Sequence, residues 1–159
     1  MKTKKTSLLI GLLFFIIFYI FALIGLLDDL NQILNQVISS RPLPKYYFTV
    51  YVSLGLLLPL ILRLVNRKLK ILRDIVDSYI LLLLSQILTE VVLVLSIGKG
   101  IGVLIGLVFS ALRVVQLQQL LSMLKRFNFI NIFLYFELFL WTINILQIVF
   151  NRLLFIGTF

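Results

Sequence analysis

Apolar residues fill this chain in runs of about twenty, each closed by a short polar or charged cluster. Twenty residues of helix rise about 30 Å, the depth of a bilayer's hydrocarbon core. The pattern therefore predicts five membrane spans, over about residues 7–27, 46–65, 75–97, 101–123 and 128–150. The count falls to four if the last run lies in the interface instead. The expected fold is all-α, a polytopic transmembrane helical bundle. Residues 1–159 form a single domain, since no stretch is left over for a soluble one.

Between the first two runs, DDLNQILNQVISSRPLPK has a different period. Leu30, Ile33, Leu34, Val37 and Ile38 fall at i, i+3, i+4, i+7 and i+8, one face of a helix. A short amphipathic helix at about 29–39 is expected, lying on the outer membrane surface as a connector or cap. Asp28 and Asp29 suit its first turn, where the helix dipole favours acids. Pro42 and Pro44 stop it. Tyr46, Tyr47, Phe48 and Tyr51 then open the second span as an aromatic belt, and Pro59 is expected to kink that span.

Composition agrees with this pattern. The chain is 62% hydrophobic with a mean hydropathy of +1.15, against about 45–50% apolar residues in soluble domains. The start, MKTKKTS and a long apolar run, has the look of a signal peptide. Signal cores are shorter and end at small residues, whereas this run continues into DDLNQ. It reads as an uncleaved first span. The net charge of +9 does not imply a nucleic-acid partner, because Lys and Arg gather at the ends of the apolar runs. There they set topology. A cytoplasmic N-terminus puts Lys2, Lys4, Lys5, Arg63, Arg67, Lys68, Lys70, Arg73, Lys125 and Arg126 inside. Only Arg41, Lys45, Lys99 and Arg152 fall outside. An odd number of spans then carries the C-terminus to the outer side.

There is no Cys and no His. That removes disulfides, thiol chemistry, the usual zinc sites and most nucleophile–base catalysis. No HExxH or Gly-rich phosphate loop occurs either. No enzyme and no cofactor is expected. Asp74 and Asp77 could bind a cation or act as an acid–base pair, but they also balance the basic loop beside them.

Polar residues inside the spans mark the inward faces. In the third span Ser78, Ser85, Thr89 and Ser96 fall on one line. In the fourth, Gly98, Gly102, Gly106 and Ser110 recur every four residues and include a GxxxG. An antiparallel hairpin packed through these small residues is the expectation. In the fifth span Glu137, Asn144 and Asn151 share a face with Trp141. Arg113 lies close to the middle of the fourth span, with Glu90 and Glu137 on its neighbours. A lone charge at that depth costs roughly 2.5–3.5 kcal/mol, so Arg113 is expected to pair with Glu90, Glu137 or both. Gln116, Gln118, Gln119 and Ser122 wind around half of the same helix, which places it at the bundle centre.

The stretch LPLILRLVNRKLKILRDIVDSYILLLL, with Asp77, followed by SALRVVQLQQLLSMLKRF, resembles the second to fourth helices of a voltage-sensor domain, over residues 46–127. In such a domain the fourth helix carries a basic residue at every third place. Here that register reads Arg113, Gln116, Gln119, Ser122, Lys125. The resemblance implies a degenerate voltage-sensor-like or ion-transport-related module. One charge moved through the field is worth about 2.3 kcal/mol per 100 mV, so two basic residues give shallow gating. No TVGYG filter is present. The residues themselves favour another function. They suit a small non-catalytic accessory or assembly subunit, or a homo-oligomer, whose partners are the lipid bilayer and other membrane subunits.

Overall fold

A computed structural model describes residues 2–40, 51, 53–65, 70–123, 129–151 and 154. These form six α-helices. α1 runs Lys2–Leu23 and α2 Asp28–Ser40. A π-helical turn, Ser53–Leu57, leads into α3, Leu58–Val65. α4 runs Lys70–Ser96, α5 Gly100–Met123 and α6 Phe129–Asn151. No strand occurs among the described residues. α1, α4, α5 and α6 are long and apolar enough to cross a membrane. The described part of the second apolar run is Tyr51, the five-residue π turn and the eight-residue α3. Among the described residues the count of span-length helices is therefore four. Pro42, Pro44, Tyr46, Tyr47, Phe48, Arg41, Lys45, Arg67, Lys68, Lys125, Arg126 and Arg152 lie outside the described residues.

α4 and α5 share the centre. α1 and α3 pack on α4, while α2 and α6 pack on α5. The close seam on α4 faces α1. A Cβ added to Gly11 would overlap the Ser85 side chain, so two small residues let these helices approach. Ser85 of the hydroxyl row thus serves α1 and not the expected hairpin with α5. The rest of α1 is largely exposed, with Ser7, Gly11 and Phe18 on its buried face.

α2 is clamped across the α4–α5 turn. The Asn31 amide donates to the Ile97 carbonyl at 2.9 Å, and its oxygen accepts from the Ile101 N–H at 3.1 Å. Helix ends leave such backbone groups without intrahelical partners. One side chain satisfies one group from each helix. Gly98 turns the chain with φ +137°, and a Cβ there would meet Asn31 at 2.7 Å. This clamp sets the rotation of α2. Asn31, Leu34 and Val37 are buried, whereas Ile33 of the same apolar row is 40% exposed. At the opposite end of α4, Asp77 forms an ion pair with Arg63 of α3.

Two apolar clusters fill the interior. Tyr79, Leu83, Leu117, Leu134 and Trp141 anchor one, joining α4, α5 and α6. Phe18, Leu82, Leu93, Ile105 and Phe109 anchor the other, joining α1, α4 and α5.

Candidate functional site

Pro59 begins the construction of the polar centre. It has no N–H to offer the carbonyl four residues back, which belongs to Gly55. The Tyr79 hydroxyl reaches that carbonyl at 3.0 Å. Gly55 also lies under the Trp141 ring, where a Cβ would meet Cζ2 at 3.0 Å. The freed carbonyl and the missing side chain bring α4 and α6 onto the π turn together.

Tyr79 is the hub. Its hydroxyl also lies 2.8 Å from Glu137 Oε2 and accepts from Trp141 Nε1 at 2.7 Å. Trp141 Nε1 reaches the same carboxylate oxygen at 3.2 Å. Arg113 Nη1 approaches the Tyr79 hydroxyl at 3.5 Å. A hydroxyl has one proton to give and two lone pairs to accept with. It can accept from both Trp141 and Arg113 while donating toward the carboxylate or the Gly55 carbonyl.

Arg113 is completely buried. Its Nη2 donates to Gln86 Oε1 at 2.8 Å. Its guanidinium carbon sits 4.0 Å from the Trp141 ring centroid and 5.3 Å from that of Tyr79. A desolvated cation over an aromatic face gains about 2 kcal/mol. The expected direct pair with Glu90 or Glu137 is not what forms. No ion pair joins Arg113 to either acid among the described residues. Tyr79 stands between it and Glu137, and Gln86 takes its other donor arm. Large rings occupy the space nearest the guanidinium, so the charges of Arg113 and Glu137 meet through a hydroxyl group. Arg113 Nε and Glu137 Oε1 are buried without partners among the described residues.

No protein-family model, no curated protein and no solved structure matches the chain. The site must be read from its own chemistry.

The other anticipated residues divide between several environments. Ser110 accepts from Asn144 Nδ2 at 2.7 Å and so ties α5 to α6. Gln116 donates to Ser7 Oγ at 2.8 Å and to the Ser78 carbonyl at 3.0 Å, joining α1, α4 and α5. Gln118, Gln119 and Ser122 are exposed, and Ser122 bonds back to the Gln119 carbonyl at 2.7 Å. Asn151 is exposed too, unlike Glu137, Trp141 and Asn144 of its row. Gly102 and Gly106 are not a tight seam. A Cβ on Gly102 would meet Val94 at 3.4 Å and Glu90 Oε1 at 3.5 Å, and one on Gly106 would meet Ile148 at 3.6 Å. All three distances are ordinary contact. The two glycines instead form part of the wall of a cavity of about 730 Å³.

That cavity lies between the π turn, α4, α5 and α6, toward the α4–α5 turn. Gln86, Glu90, Lys99, Trp141, Asn144 and Gln147 are its polar lining, set among aliphatic side chains. Glu90 thus faces a space, while Arg113 and Glu137 are sealed behind Trp141 and Gln86. A smaller cavity of about 260 Å³ sits at the other end, lined by Ser7, Ser78, Gln116 and Gln119.

Tyr79, Gln86 and Asn31 escape the sequence reading. One signal was available for the first two. Tyr79, Gln86 and Glu90 fall at i, i+7 and i+11, within about 40° on a helix. They form a second polar face, beside the hydroxyl row. Asn31 gives no such signal, because a polar residue on a short amphipathic helix ordinarily faces water.

Proposed function

We propose that this chain is a small non-catalytic integral membrane protein that acts as an accessory or assembly subunit, meeting other membrane proteins or copies of itself side to side. Gln118 and Gln119 carry the reading. Both side chains are exposed on α5, a helix of span length and composition. Neither has a hydrogen-bond partner among the described residues. An amide left in hydrocarbon is costly, and a facing helix is the usual source of a partner, worth about 1–2 kcal/mol in model peptides. The polar hub suits the same role. It holds α4, α5, α6 and the π turn in one arrangement. In this reading the N-terminus is cytoplasmic, residues 46–65 cross as the second of five spans, and α2 lies on the outer surface with the C-terminus.

Purification in a mild detergent tests the proposal. A stoichiometric partner or a homo-oligomer is expected, and Gln118→Leu with Gln119→Leu should release it from a still-folded chain. A monomer in the native protein would overturn the reading.

The voltage-sensor-like or ion-transport-related alternative rests on Arg113 at mid-helix and on Glu90 facing an open cavity. Arg113 would have to leave Trp141 and Gln86 to move charge. Ion flux through a monomer in liposomes, abolished by Glu90→Gln, is the result that would favour this alternative.

A further inference from the structure

The larger cavity has the dimensions of a ligand site. Its volume of about 730 Å³ falls within the roughly 300–1,000 Å³ of small-molecule pockets. Ile87 and Val91 form one wall and are 40% and 51% exposed. The cavity therefore opens sideways, where a span meets lipid. Gly102 and Gly106 add room that the packing of the helices does not require, because a Cβ at either position clashes with nothing.

The charges in it are arranged by depth. Glu90 and Lys99 both line the cavity, yet no ion pair joins them among the described residues. The Glu90 carboxylate lies beside Gly102. Lys99 is one turn nearer the helix end, about 4.5 Å along the axis. The cavity thus presents an acid below, a base above and an apolar wall at the side.

We propose that this cavity binds an aminophospholipid, its headgroup folded back so that the protonated amine reaches down to Glu90 while the phosphate stays at Lys99 and an acyl chain descends along Ile87 and Val91. A primary ammonium supplies the counter-charge that Arg113 does not, since Arg113 is already bonded to Gln86 and stacked on Trp141. Its N–H groups form charge-assisted bonds, roughly twice as strong as neutral ones. A quaternary ammonium has no N–H to donate, and an anionic head without an amine brings no cation to Glu90. The proposal goes beyond lateral assembly and does not depend on what the chain assembles with.

Trp141 is the only tryptophan and lines the cavity, so its fluorescence reports occupancy. The full chain in phosphatidylcholine nanodiscs is titrated with phosphatidylethanolamine brominated on an acyl chain, and separately with brominated phosphatidylcholine and phosphatidylglycerol. Phosphatidylethanolamine should quench saturably, at about ten- to a hundredfold lower mole fraction than phosphatidylglycerol. Glu90→Gln should erase that preference. Gly106→Leu, which fills the cavity, should abolish quenching by all three. Equal quenching by the three lipids in the native protein overturns the proposal, as does a preference that survives Glu90→Gln or a folded Gly106→Leu chain. Should Glu90→Gln fail to fold, Lys99→Glu takes its place, and undiminished phosphatidylethanolamine binding by that variant overturns the proposal equally.

Discussion

A guanidinium cut off from water needs partners on every side, and Arg113 takes them from two rings, a hydroxyl and an amide. Tyr79 matters as much as the charge it serves, because its hydroxyl touches α6, α5 and the π turn at once. Tyr79→Phe keeps the ring and removes only that hydroxyl. It should destabilise the protein by about 1–3 kcal/mol, the cost of leaving buried groups unsatisfied, measured as a lower unfolding midpoint in detergent. Arg113→Lys keeps the charge but loses the flat face that stacks on Trp141 and the second donor arm. It should fail to restore the stability lost in Arg113→Met. If Arg113→Lys matches the native chain, the stacking is incidental.

At the scale of elements, two glycine positions on span-length helices have opposite meanings. Gly11 allows α1 to meet Ser85 on α4, so Gly11→Leu must push the two helices apart. Overpacking of this kind costs about 1–3 kcal/mol, and the variant should expose α1 to protease or unfold earlier. Gly102 belongs to the more recognisable motif, yet a methyl group there meets only ordinary contacts. Gly102→Ala should stay within about 0.5 kcal/mol of the native chain. The clamp of α2 follows the same logic. Asn31→Ala leaves the Ile97 carbonyl and the Ile101 N–H without their partner, and α2 should become readily cleaved while the span-length helices persist.

For the whole molecule, the distribution of Lys and Arg predicts which side each end occupies. The natural chain has no cysteine, so single-cysteine variants are clean reporters. With Lys5→Cys and Leu154→Cys, an impermeant thiol reagent applied to intact cells should label only residue 154. Labelling of residue 5 alone would invert the topology, and labelling of neither or both would mean an even number of crossings.

Much of the architecture was legible because it depends on length and period alone. Apolar runs long enough to span bilayer hydrocarbon identified α1, α4, α5 and α6, and the i, i+3, i+4 pattern identified α2. Of the row Glu137, Trp141, Asn144 and Asn151, the first three are buried as their spacing required, while Asn151 is exposed. What lies across from each residue is not written in any one helix. Ser85 meets Gly11 and Gly106 borders a cavity. Arg113 reaches Glu137 only through Tyr79. Each of these depends on the rotation and height of a second helix. The Asn31 clamp and the Gly55 carbonyl freed at Pro59 set two such relations, and neither has a periodic signature. Period and length determined the elements of this protein. The volumes of the rings, the gaps left by glycine and the backbone groups freed at Pro59 and the helix ends decided how they meet, because contacts between helices are set by shape at ångström scale.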